Sequence, residues 1–265
     1  MDINAYLKEQ YADAGSFLAR AYLSARFGTN PCGWTNWVFD QIAFPPGASV
    51  LELGCGPAFL WERNLCRLPP DAEIMLTDFS DGMLMEAKKR LGDAAGRFCF
   101  NVVNAEEIPF PEGRFDIVIA NHMLYHIPDR PKALAEIARV LKPGGALYAS
   151  TIGRGNMKEL SRLFCDCFSI PERPRRTVAD AFGLENGEEQ LKRFFGSVQL
   201  KLYEDSLVVT EAPPLIGYIL SAGGPVADFL TPERIQVFEA YLNDILQRDG
   251  EIKITKESGL FTAQK

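Results

Sequence analysis

Glu52, Gly54 and Gly56 close an apolar run, VLELGCGPAFL from Val50 to Leu60, and their spacing describes a ligand-binding turn. A strand that ends in Gly-x-Gly and passes directly into a helix must turn tightly. Glycine permits that turn and lets a ligand approach the main-chain amides with no Cβ in the way. Nicotinamide and flavin enzymes use the same turn but want a small third residue for helix packing, and here that place is held by Phe59. Glu52, two residues before Gly54, would repel a pyrophosphate and suits a cationic ligand better.

A second acidic residue, Asp78, ends the next apolar run, 22 residues after Gly56. A carboxylate at that strand tip can accept hydrogen bonds from both hydroxyls of an adenosine ribose. Ser80 is placed to cap the helix that follows, and Met83 in its first turn to lie against an adenine. Asn104, at the end of a third run, can meet the adenine amino edge, and Ala105 can offer its amide to a ring nitrogen. The run Phe115–Ala120 brings Asn121, His122, Tyr125 and His126 to the same carboxyl edge, where open α/β sheets bind their ligands. Were a hydroxyl or amine to be attacked there, a base would be needed; His126 is the first candidate, with Tyr125 and His122 behind it.

These residues need a parallel sheet to bring them together, and the apolar pattern supplies one. Short apolar runs at Ser49–Leu53, Glu73–Thr77, Arg97–Val103, Phe115–Ala120 and Gly145–Thr151 alternate with helical segments at Phe59–Arg67, Asp81–Leu91 and Arg130–Leu141, the signature of βαβ units. The first 45 residues read as helical, with Phe17, Leu18, Ala21, Tyr22 and Ala25 on one face. After Thr151 a polar segment, about Gly153–Gly196, reads as an insertion above the carboxyl edge. Apolar runs return at Val198–Tyr203 and Leu207–Thr210. Helices follow at Leu215–Ser221 and Pro232–Gln247, then a last strand or hairpin at Glu251–Ala263.

The 265-residue chain is 47% hydrophobic and 24% charged, with a formal net charge of −7. An acidic surface argues against a nucleic-acid partner. Arg173, Arg175 and Arg176, with Lys158 and Arg162, form the one basic cluster, read as a solvated face. The six cysteines are irregularly spaced and only two histidines exist, so free thiols and no metal site are expected. The amino terminus lacks the pattern of a signal peptide, and no stretch approaches the roughly 18 apolar residues of a membrane span. A cytoplasmic location is the expectation.

Taken together, the series resembles the class I, Rossmann-like methyltransferases that use S-adenosylmethionine, in particular the small-molecule enzymes of the ubiquinone and menaquinone biosynthesis type. Glu52-Leu53-Gly54-Cys55-Gly56, Asp78, the run Ala105-Glu106-Glu107-Ile108-Pro109-Phe110 and Leu141-Lys142-Pro143-Gly144-Gly145 stand in family order and spacing, between about Val50 and Thr151. The resemblance implies an α/β fold: a seven-stranded, mostly parallel sheet of order 3-2-1-4-5-7-6 with helices on both faces. It would form one domain, with a helical lid over residues 1–45, a donor-binding core over 46–152, a cap over 153–196 and completing strands and helices over 197–265. It assigns Glu52, Gly54 and Gly56 to the amino-acid end of the donor, Asp78 to its ribose, Asn104 with Ala105 to its adenine and Asn121 to the neighbourhood of the sulfonium. Cys55, Phe79 and Met83 complete the donor-binding set. Ala58 departs from a frequent glycine and Asn104 from a frequent aspartate.

The expected reaction is methyl transfer to an O, N, S or C atom of a small organic molecule, leaving S-adenosylhomocysteine. Tyr22, Arg26, Trp34 and Trp37 are candidates to line the acceptor side, and the acidic surface and aromatic roof favour a neutral or cationic acceptor. No membrane partner is expected, and a homodimer is possible. A tRNA or protein methyltransferase, a non-catalytic binder of the donor and a nicotinamide oxidoreductase stay open as alternatives.

Overall fold

The computed structural model describes residues 15–171 and 177–265. Arg173, Arg175 and Arg176 of the basic cluster lie outside the described residues. Seven strands, β1 (Ser49–Leu53), β2 (Glu73–Asp78), β3 (Phe98–Val102), β4 (Phe115–Asn121), β5 (Leu141–Ile152), β6 (Ser197–Val209) and β7 (Ile252–Gln264), form one sheet in the order β3-β2-β1-β4-β5-β7-β6. The first five are parallel, and β7 runs antiparallel to both β5 and β6. The seven-stranded order implied by the resemblance is therefore the order observed.

Side-chain alternation along each strand divides the core between the two faces. Leu51, Leu53, Val118 and Ala120 face a cluster built on α5 (Arg130–Val140) through Leu134 and Ile137. Val50, Ile117 and Ile119 face the opposite cluster, which holds Val38 and Phe39 of α2 (Trp34–Gln41), Trp61 of α3 (Phe59–Glu62) and Leu84 and Ala87 of α4 (Asp81–Leu91). By parity Glu52 and Asn121 lie on this second face. A third cluster joins Leu23 and Phe27 of α1 (Gly15–Phe27), Leu160 and Phe164 of α6 (Lys158–Cys167) and residues of α8 (Pro213–Ala222) and α10 (Pro232–Asp249) to the far end of the β6–β7 hairpin.

Four local expectations are corrected. Among the described side chains of α1, Leu23 and Phe27 are buried whereas Tyr22 is exposed, because the helix docks on the β6–β7 hairpin and α8 and not on the central sheet; the Phe17 side chain lies outside those described. Phe59–Arg67 is not one helix: buried Asn64 takes the Leu60 carbonyl with its side chain (2.8 Å), and the chain turns there into a short 3-10 segment. The two runs Val198–Tyr203 and Leu207–Thr210 form a single strand, since Glu204, Asp205 and Ser206 pair with Glu257, Lys256 and Thr255 of β7. The 153–196 segment is only partly a cap. Its α6 joins the third cluster, but Phe182, Leu191 and Phe195 are buried on the α5 face, and Thr151 Oγ1 donates to the Phe182 carbonyl (2.6 Å).

Candidate active site

The glycine turn is left-handed where the sequence requires it. Gly54 has φ 67° and Gly56 φ 51°, and a Cβ on Gly54 would meet the Met123 side chain at 3.0 Å. Ala58 also adopts φ 61°, a conformation that costs an L-residue about 1–2 kcal/mol. The frequent glycine of the family thus has a physical reason at this position, and the chain tolerates alanine there with the methyl fully buried.

Glu52 is 2% exposed at the end of β1, directly behind the turn. One carboxylate oxygen accepts from the Trp61 indole N–H, the other from Asn121 Nδ2 at 3.3 Å. Burial lifts its pKa from the ordinary range to about 7 against the pull of those two donors, and the Asp78 charge adds to the rise. Asn121 Oδ1 is buried with no hydrogen-bond partner. A buried carboxylate with no cation and a buried amide oxygen with no donor both lack a positively charged or N–H-bearing group at this corner.

Asp78, half-buried at the tip of β2, ties the second strand to the turn. Gly56 N–H donates to Oδ2 (2.9 Å) and Ser80 N–H to Oδ1 (2.9 Å), while burial raises its pKa. Ser80 Oγ caps α4 by accepting from the Met83 amide (3.4 Å), and Met83 itself is 2% exposed. Phe79 sits between them, half-buried. Cys55 is held by its amide on the Thr77 carbonyl (2.9 Å), and its thiol pKa is pushed well up by burial and the charges of Glu52 and Asp78. Asn104 and Ala105 lie beyond β3; one lone pair of Asn104 Oδ1 already accepts from Glu106 N–H (3.0 Å), and Ala105 is buried.

Beyond Asn121 a run of rings lies along the carboxyl edge. Trp34 stacks on Trp37 at 5.5 Å, and both meet Tyr203 at 5.2 Å. Trp34 lies 4.9 Å from His122, and Tyr125 lies 6.4 Å from His122 and 4.6 Å from His126. His122 has φ 49°, held there by Ser150, whose carbonyl and hydroxyl both accept from its amide (3.2 and 3.0 Å). Strained non-glycine residues of this kind gather at functional sites. Burial, Lys256 and His126 lower the pKa of His122 to about 3, and burial with the charge of Arg20 lowers that of His126 to about 4.

The structure brings Glu52, Gly54, Cys55, Gly56, Asp78 and Asn121 together at one corner, with Trp34, Trp37, His122, Tyr125 and His126 beside it. Tyr22 and Arg26 do not join them; Tyr22 is 52% exposed, and Arg26 is exposed and pairs with Glu211 (3.6 Å). The α1 residue whose charge reaches the site is Arg20, which donates to the Ser221 carbonyl. Trp61, Tyr203 and Lys256 carry no local sequence signal of a site. Trp61 falls on the apolar face of a short helix and resembles core; Tyr203 and Lys256 sit in strands remote in sequence from every motif. Among the described residues, no group of three or more His, Cys, Asp or Glu gathers to hold a metal, and no helix is long and apolar enough to cross a membrane.

A family model described as a methyltransferase domain matches residues 51–149, the segment that runs from β1 into β5 and holds the glycine turn, Glu52, Asp78, Asn104 and Asn121. Residues 51–149 are thus similar to a methyltransferase domain. The chain is 31% identical over 173 residues to the ubiquinone/menaquinone biosynthesis C-methyltransferase UbiE of Vibrio cholerae, a match covering 60% of this chain and 66% of that protein. The corresponding protein of Psychromonas ingrahamii is 28% identical over 182 residues, covering 63% and 72%. The chain thus spans just under two thirds of the Vibrio cholerae relative's length. Two solved structures share the fold. A phosphoethanolamine N-methyltransferase 2 of Haemonchus contortus, bound to phosphomonomethylethanolamine and S-adenosylhomocysteine, superposes with a TM-score of 0.58 at 21% identity, over 100% of this chain and 61% of that one. The [4+2]-cyclase SpnF superposes with 0.54 at 17% identity, over 95% and 96%. A fold shared with a cyclase leaves the reaction to be argued from the site.

Proposed function

We propose that this methyltransferase transfers a methyl group from S-adenosylmethionine to a carbon atom of a small organic acceptor. The carrying observation is the corner formed by Glu52 and Asn121: a buried carboxylate and an unpartnered amide oxygen beside a bare glycine turn, where the donor's ammonium and sulfonium end would supply what is missing. When bound there, the donor supplies an electrophilic methyl on a positively charged sulfur. Glu52 and the Gly54–Gly56 turn hold its amino-acid end, Asp78 its ribose, and Asn104, Ala105, Phe79 and Met83 surround its adenine. Asn121 faces the sulfonium.

The chain's own task is then to orient the acceptor and exclude water, and the rings of Trp34, Trp37, His122, Tyr125 and Tyr203 form the wall that does so. Methylation at carbon is favoured by the histidines. With pKa values near 3 and 4, His122 and His126 are neutral but feeble bases at neutral pH, poorly matched to removing a proton from a hydroxyl or amine. A carbon made electron-rich by its neighbours would attack the methyl without prior deprotonation as the methyl–sulfur bond breaks, and its proton, made acidic by the new bond, would then pass to water. His126 and Tyr125 therefore position the acceptor. The name of the UbiE relatives, C-methyltransferase, points the same way.

Calorimetry with S-adenosylhomocysteine tests the donor half. The wild-type chain binds it, and Asp78→Ala weakens binding by about 1–3 kcal/mol as charged-acceptor hydrogen bonds are lost. Absence of binding by the wild type, or equal affinity in the variant, refutes the assignment.

A further inference from the structure

Lys256 acts on His122 of the ring wall through its charge, and neither donor binding nor core packing uses it. Its position follows from strand register. Asn121 of β4 pairs with Ser150 of β5, Ser150 with Leu260 of β7, and Leu260 with Lys201 of β6. Four residues back along β7, on the same face, Lys256 pairs with Asp205. At about 3.3 Å per residue that is some 13 Å beyond the level of Asn121, past the end of β5 and over the carboxyl edge. Between them on that face stand Ser258 and its partner Tyr203, which contacts Trp34 and Trp37.

The residue is fixed in place from both sides. Thr255 donates its amide and hydroxyl to Glu159 (2.8 and 2.6 Å). Glu257 takes Asn156 Oδ1 with its amide (3.1 Å) and the Gly155 amide with its carboxylate (2.8 Å). The third hydrophobic cluster closes over the hairpin beyond it through Leu207 and Ile254. Yet among the described residues no carboxylate lies within ion-pair distance of its ammonium. Its cross-strand partner Asp205 is the nearest candidate, but that carboxylate accepts from Thr29 N–H (2.9 Å), Thr29 Oγ1 (3.2 Å) and Asn30 N–H (3.0 Å) in the loop before α2. His122, on the facing side, is neutral and answers none of the charge.

We propose that Lys256 anchors an oxyanion on the acceptor, so that the acceptor is a small ring compound bearing one ionised hydroxyl, not the neutral or cationic molecule expected from the overall charge. The inference rests on the methyl-transfer reading and refines its substrate. A single fixed ammonium beside flat rings suits a phenolate-type oxygen; a phosphate dianion needs several convergent donors, and the other cation nearby, Arg20, already donates to Ser221. An oxyanion held there also makes ring carbons electron-rich, which is what attack without a base requires. Burial of the ammonium lowers its pKa, with Asp205 opposing, and an oxyanion would restore it.

The test uses 4-nitrophenol as probe, on the full chain saturated with S-adenosylhomocysteine. In the wild type the bound probe ionises at a pH about 1–3 units lower than the free probe, read by its phenolate absorbance. Lys256→Met abolishes the shift, Lys256→Arg keeps part of it, and calorimetry shows S-adenosylhomocysteine bound equally by all three. No probe binding, an unshifted probe, a shift that survives in Lys256→Met, or displacement by millimolar inorganic phosphate each overturns the proposal. Loss of S-adenosylhomocysteine binding by the wild type would instead sink the methyl-transfer reading beneath it.

Discussion

Substituting Glu52 by Gln separates the stability of the fold from the binding of its ligand. The folded-state pKa of about 7 lies above the ordinary value of 4.5, so the folded chain holds a proton that the unfolded chain releases. Below about pH 4.5 both states are protonated and the group costs nothing. As pH rises toward 7 the unfolded state ionises first and stability falls, by roughly 3 kcal/mol once pH 8 is reached, at 1.36 kcal/mol per pKa unit. Gln carries no charge to bury. It can also satisfy the corner, because its NH2 can donate to an Asn121 amide whose oxygen has no other partner. Glu52→Gln is therefore expected to be up to about 3 kcal/mol more stable than wild type at pH 8, with the gap closing by pH 4.5. Donor affinity should fall about 10- to 150-fold, from a charge-assisted contact worth about 1.5–3 kcal/mol. Urea titrations of both proteins from pH 5 to 8, with donor calorimetry at pH 8, measure the two effects. A stability gap that does not change with pH, or a variant less stable than wild type at pH 8, would mean that Glu52 is not held protonated by its burial.

Three further outcomes follow from the same geometry. Donor affinity in the wild type should drop about tenfold per pH unit below 7 as Glu52 takes up its proton, and Trp61→Phe, which removes one donor to that carboxylate, should move the midpoint upward; titrating affinity against pH in both proteins reads it. Gly54→Ala should destabilise more than Gly56→Ala, since both force a side chain to positive φ but only the former meets Met123, and thermal melts rank them. Exposed Cys66 and Cys99 should react rapidly with a thiol reagent while Cys55, buried and with its pKa raised, resists in the folded chain, as mass mapping of labelled thiols would show.

The donor side was legible because its requirements are local. A glycine turn, a carboxylate at each of two neighbouring strand tips and an asparagine at the next one stand at spacings that a parallel sheet converts directly into neighbours. The acceptor side was not. Lys256 is placed by a β6–β7 register that no local pattern encodes, and the Glu204-Asp205-Ser206 interruption that broke one strand into two apolar runs marks the place where it meets Asp205. Trp34 and Trp37 were visible as aromatic residues, but only the fold shows that they face His122 and Tyr203. The docking of α1 turns Tyr22 and Arg26 to solvent, and the second half of the 153–196 segment packs on the sheet because its Phe182, Leu191 and Phe195 belong to the core of the α5 face.

The corner behind the glycine turn is built for a positive charge. Calorimetry of S-adenosylmethionine binding at pH 6.5, repeated in buffers of different ionisation enthalpy, counts protons released on binding. With a Glu52 pKa of about 7, the wild type should release roughly three-quarters of a proton and Glu52→Gln none. Binding with no proton release, or the same release from both proteins, would contradict it.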